Sequence, residues 1–234
     1  MFRWLLWWKS PPSYLGHAAI EWYGFYRRGR FPGNPLRLVT AALRKAFSGA
    51  SRGADLDLED PDCLGVLLAT DAREGIRCLA AIKLGLAKDE RYETSLLAAL
   101  QDESETVRRT AAVALLDLNT VRGLAAVVGS SQHGHRVRMD AAHRLRQYGP
   151  AAAEAIPALA ALLRDQESNW RSHCAAAGAL AAVGEAAIPW LLQLLAVGKA
   201  GPRYYAAMAL KEMNKTPEHV LAIEQELARG TNPC

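Results

Sequence analysis

An all-α solenoid of about five helix pairs is the fold this 234-residue sequence predicts, and three observations predict it. First, an arginine followed by a small-residue block closing on leucine recurs five times: CLAAIKL after Arg77, RTAAVAL after Arg108, MDAAHRL after Arg138, SHCAAAGAL after Arg171 and YYAAMAL after Arg203. The paired alanines fall at Ala80, Ala111, Ala141, Ala176 and Ala206, in steps of 31, 30, 35 and 30 residues. Self-similarity at this period marks repeats that bury their apolar faces against their neighbours. Second, positions three, four and seven beyond the arginine share one helical face, as Ala111, Ala112 and Leu115 do in the second block. Third, half the chain is hydrophobic while only 7% is aromatic, which suits close-packed helices.

The elements follow in order. A first helix is expected over about 12–28, with Ser10 or Ser13 as cap, and a turn at Arg30–Gly33 follows it. Asn34 then caps a second helix that has Pro35 at its first position, where a missing N–H costs nothing, and ends near Phe47. SGASRGA at 48–54 reads as a joint, so the division expected is a basic aromatic cap over 1–52 and a repeat body over 53–234. In the body, first helices (A) are expected near 61–70, 91–101, 120–129, 151–164 and 185–197. Second helices (B), carrying the arginine blocks, are expected near 74–87, 105–118, 135–148, 168–183 and 202–214. A last capping helix runs from Thr216 to Gly230. The two extra residues between Arg171 and its alanines leave the register of the fourth repeat open.

Charge is unevenly placed. Residues 1–52 hold nine Lys/Arg against Glu21 alone, and 11 of the 17 aromatic residues precede Ala50. The rest of the chain is net −4, which opposes phosphate binding by the body. Trp4, Trp7 and Trp8, with Arg27, Arg28 and Arg30, mix rings with cations as a membrane interface or nucleic-acid contact would. The alternative is that these rings cap the first repeat. No apolar run approaches the roughly 18 residues of a membrane span. The opening MFRWLLWWK is too brief for a signal-peptide core. Four cysteines without CxxC spacing suit a reducing, cytoplasmic setting, peripheral to a membrane if the aromatic head binds one.

The blocks resemble HEAT repeats, in particular the short HEAT-like subtype associated with phycobilisome lyases, over about residues 60–214. The resemblance rests on an aspartate six residues before the arginine (Asp71/Arg77, Asp102/Arg108, Asp165/Arg171), on the small-residue block, and on Ala-Ile-Pro at 155–157 and 187–189. Gln132 and Val197 stand where the third and fifth repeats would have the aspartate. The resemblance implies a right-handed α-α superhelix. It also implies a structural ladder of Asp71, Arg77, Asp102, Arg108, Arg138, Asp165, Arg171 and Arg203. In that ladder a loop aspartate caps helix B and faces a neighbouring guanidinium.

Chemistry-bearing constellations are sparse. His133, His135 and His143 lack an accompanying carboxylate or cysteine at ligand spacing, so they read as a solvated loop and no metal is expected. The chain has no His-Glu dipeptide, unlike the HEAT-like deoxyhypusine hydroxylases. Cys174 and His173 are helix neighbours that diverge by about 100 degrees and cannot act as nucleophile and base on each other; Cys174 reads as core. Trp170 and Trp190 lie at helix beginnings where packing is the default. The sequence therefore predicts no catalytic residue, no cofactor and no enzyme, but a scaffold or adaptor binding another protein. The runner-up readings are a phycobilin-lyase-like subunit and an accessory protein for nucleic acid or membrane. On helix B, positions one, five and eight beyond the arginine form a flank beside the core. Met139, His143, Arg146, Tyr204, Met208 and Lys211 are its candidate partner contacts.

Overall fold

The computed structural model describes residues 60–197 and 199–213, so the expected head over 1–52 and the helix over 216–230 lie outside the described residues. Those described are all-α, in helix pairs with no strand among them. They fall into two compact units that divide between Leu118 and Asn119.

In the first unit, α1 (Pro61–Thr70) begins at Asp60, whose carboxylate accepts the Asp62 N–H. It packs on α2 (Glu74–Ala87), which packs in turn along α4 (Glu105–Leu118). A short α3 (Glu93–Ala99) follows a 3-10 turn at Glu90–Tyr92 and covers α4 from the A side. Leu79, Ile82, Leu96 and Leu115 are fully buried there, each such side chain contributing about 1.5–3 kcal/mol of transfer free energy. Gly85 is what lets α2 and α4 approach. A Cβ there would sit 2.7 Å from the Ala114 Cα.

In the second unit, α5 (Val121–Gly129), α7 (Ile156–Arg164) and α9 (Ile188–Val197) form the A layer. The B helices α6 (His135–Tyr148), α8 (Trp170–Val183) and α10 (Ala200–Met213) pack side by side. Thr120 caps α5 by accepting the Gly123 N–H, and Asn169 caps α8 by accepting that of Ser172. Gly149 and Gly184 close α6 and α8 at φ +55° and +84°, where a side chain would be strained.

The A helices start later than the periodicity suggests. 3-10 turns occupy Gly149–Ala155 and Glu185–Ala187 before α7 and α9. The reason is proline. Pro157 and Pro189 have no N–H to donate four residues back, and the Ile156 and Ile188 N–H groups reach only three back, to the Ala153 and Glu185 carbonyls.

All five B helices are 14 residues long. Their seventh and eighth residues are the alanine pairs, and their eleventh is leucine. The fourth residue is Arg77, Arg108, Arg138, His173 and Arg203 in turn. This fixes the register of the fourth repeat. His173, not Arg171, takes the arginine's place.

Candidate functional site

Two arginines tie successive repeats together. In the first unit Arg77 is 6% exposed. Its Nη1 donates to the Asp71 carbonyl at 2.9 Å, and its Nε and Nη2 donate to the two Asp102 carboxylate oxygens, both at 2.9 Å. In the second, Arg138 donates from Nε to the Val128 carbonyl at 3.0 Å and from Nη1 to Asp165 and to Ser168 Oγ. Each therefore binds its own repeat through a carbonyl and the next repeat through a carboxylate, the arrangement that suits a planar guanidinium fork.

Several ladder residues are placed differently from expectation. Arg108 uses the Asp102 and Glu103 carbonyls, at 2.7 and 2.9 Å, and leaves the Asp102 carboxylate to Arg77. Asp71 gives its carboxylate to the exposed Arg73. The loop aspartates do not cap the B helices. Asp71, Asp102 and Asp165 accept the N–H two residues on, from Arg73, Ser104 and Glu167, and so shape the turn before the helix. Arg171 is exposed and stacks 5.4 Å from the Trp170 ring centroid. Its slot is filled by His173, whose Nε2 lies 2.9 Å from the Asp165 carbonyl, as Arg77 and Arg108 lie against Asp71 and Asp102. Arg203 is half-buried at the corresponding place in α10.

Other expected assignments shift too. His133 is buried, not solvated, while His135 and His143 are exposed. Among the described residues no group of three His, Cys, Asp or Glu is gathered as a metal site. Cys78 is core, and burial pushes its thiol up to about 12. Cys174 is only half-buried. Trp170 is half exposed, at 50%. No described helix is long and apolar enough to cross a membrane. The head residues Trp4, Trp7, Trp8, Arg27, Arg28 and Arg30 lie outside the described residues.

The flank candidates come together on α6 and α10. Met139, Tyr204 and Met208 are half-buried, while His143, Arg146 and Lys211 are exposed. Arg146 reaches from α6 over Gly178 of α8 to Glu212 of α10, at 2.6 Å. A Cβ on Gly178 would lie 3.3 Å from the guanidinium, so the glycine makes the seat for this crossing. Sequence spacing gave the flank but missed Gly178 and Glu212, which follow only once the fourth repeat's register is known.

Charge separates the units. Residues 60–118 hold 11 Asp/Glu and seven Lys/Arg, whereas 119–213 hold six and ten. The net negative body read from the sequence thus conceals a basic second unit.

The Arg138 guanidinium holds the Asp165 carboxyl below its usual range, and Arg73 does the same for Asp71. A carboxyl depressed in the folded state stabilises fully above its unfolded value of about 3.9, and that stabilisation is lost as pH falls through the folded value. The melting temperature is expected to fall on acidification below about pH 4, and Asp165→Asn is expected to flatten that limb. An acid limb of unchanged steepness in this variant, followed by circular dichroism, would remove Asp165 from the account.

Comparison with known proteins bears on the fold. The HEAT repeats family matches residues 63–146. Among solved structures, the complex of CpcE and CpcF of phycocyanin lyase from Nostoc sp. PCC7120 is similar at 25% identity and a TM-score of 0.43, covering 73% of this chain and 70% of that one. Nothing among curated proteins matches the chain. The similar structure is that of a lyase complex; the expectation of a non-enzymatic protein is withdrawn and not carried further.

Proposed function

We propose that this chain, which carries HEAT repeats over residues 63–146, works by binding another protein, and that the B face of its second unit is the binding surface. One observation carries the reading. Met139, Tyr204 and Met208 lie half-buried on one face of α6 and α10, whose C-terminal ends carry the exposed cations Arg146 and Lys211. Methionine, tyrosine and arginine are enriched at interfaces, and half-buried side chains of this kind need little ordering before a partner covers them.

A second reading keeps this surface and adds a reaction: a subunit of a lyase that acts on a chromophore-bearing protein. The Ala-Ile-Pro turns that open α7 and α9 favour it, because they carry the resemblance to the lyase-associated subtype. Both readings meet one test. A photo-crosslinking residue at Met139 or Tyr204, exposed to native lysate and irradiated, is expected to trap a defined protein. One at Leu192, an exposed apolar position on α9, is expected to trap none. A coloured adduct selects the lyase reading. Equal trapping at all three positions, or none at any, removes the surface from the proposal.

A further inference from the structure

We infer that the B face of the second unit takes an acidic segment of its partner, with carboxylates and apolar side chains interspersed. The inference rests on the protein-binding reading above and names the chemistry of what binds.

Because the B helices of the second unit share one length and register and pack side by side, their second, fifth, ninth and twelfth residues line up as one face. In the second unit this face carries Arg136, Arg146, Arg171 and Lys211, and no Asp or Glu at those twelve positions. All four cations reach solvent. Between them lie the half-buried Met139, Cys174, Tyr204 and Met208. The first unit repeats the pattern only in part. The same positions of α2 are Gly75, Cys78, Ile82 and Gly85, the last three of them buried, and those of α4 are Thr106, Arg109, Val113 and Leu116, with one exposed cation.

Cations spaced around apolar side chains complement carboxylates spaced among apolar side chains. They match a nucleic acid less well. The apolar surface of a nucleic acid is its flat base faces, which stack on rings, whereas the apolar side chains of this face are mostly Met139, Cys174 and Met208; residues 60–118 also carry the opposite sign of charge. The face also contains a built-in competitor. Glu212 holds Arg146 across Gly178, with side chains 45% and 51% exposed. A pair this exposed is weak, so an incoming carboxylate can displace Glu212 at small cost and use the same seat.

The test uses the full chain and two fluorescent probes, a short peptide of alternating glutamate and leucine and an oligothymidylate of equal length. The peptide is expected to bind more tightly than the oligothymidylate, and more weakly as salt rises. Arg136→Gln with Arg171→Gln, and separately Arg146→Gln with Lys211→Gln, should each weaken the peptide about tenfold. Glu212→Gln should strengthen it about two- to threefold, because it frees Arg146. All of these side chains are exposed, and circular dichroism checks that helicity is kept. Unchanged affinity in both double variants, no gain in Glu212→Gln, or preference for the oligothymidylate would overturn the inference. A trapped partner whose cross-linked segment lacks acidic residues would overturn it too, while leaving the protein-binding reading intact. Failure to trap any protein from Met139 or Tyr204 instead removes that reading.

Discussion

Arg138→Ala is expected to destabilise the protein by about 3 kcal/mol, the lower end for removing one partner of a buried ion pair. The side chain is 4% exposed and serves three acceptors, the Val128 carbonyl, Asp165 and Ser168 Oγ. Its loss leaves the Asp165 carboxylate, only partly open to solvent, without its cation. Lysine does not replace it, because one ammonium cannot face a carbonyl and a carboxylate from opposite edges as a guanidinium does. Arg171→Ala is the contrast. Exposed and stacked on Trp170, Arg171 is expected to cost within about 0.5 kcal/mol. Urea unfolding of the two variants checks both. Equal destabilisation would mean that the repeat arginines act through charge alone, whatever slot they occupy.

That contrast shows what the sequence makes legible. Helical spacing of alanine and leucine is dictated by packing, so the B helices were readable almost to the residue, as α2, α4 and α6 show. The fourth repeat was not. Its arginine is displaced by two residues, and nothing in one sequence says that an imidazole can hold the carbonyl a guanidinium holds elsewhere. His173 makes its bond to Asp165 because the alanine pair sets the helix phase, and the polar residue three places earlier must then face the loop. The aspartates depart from expectation for a related reason. Spacing places them before helix B, but whether a carboxylate caps the helix or closes the turn depends on backbone angles that spacing does not encode. The delayed A helices follow from proline chemistry that is legible in Ala-Ile-Pro.

The candidate surface was half legible. Its flank residues came from periodicity, which holds in α6 and α10. The crossing of Arg146 over Gly178 to Glu212 joins residues 66 apart in sequence, and no local pattern reports it. Nor does total charge. The opposite balances of residues 60–118 and 119–213 cancel, and only the division at Leu118 separates them.

Gly85→Val is expected to cost about 3 kcal/mol, the upper range for forcing volume into a packed interior. Even the first atom of a side chain cannot be placed. A Cβ at Gly85 would meet the Ala114 Cα and Cβ at 2.7 Å and its carbonyl oxygen at 2.9 Å. Two of these three atoms are backbone, so no rotamer change relieves the clash and α2 must move away from α4. That movement loosens Ile82 and Leu115, which are fully buried within the same unit. Gly85→Ala tests the mechanism more finely, because two effects of opposite sign compete. Alanine gains about 1 kcal/mol of helix propensity over glycine, while the close approach costs about 1–3 kcal/mol. The clash is expected to win, since its nearest atoms cannot yield separately. Ala114→Gly in the Gly85→Ala background removes the Cβ on the far side and should restore part of the loss. The double variant should then be more stable than the two single effects added together, the coupling expected of residues in direct contact. Additive effects in urea unfolding, or a Gly85→Ala variant more stable than the parent, would show that α2 and α4 have slack at this crossing and that glycine is not what sets their distance.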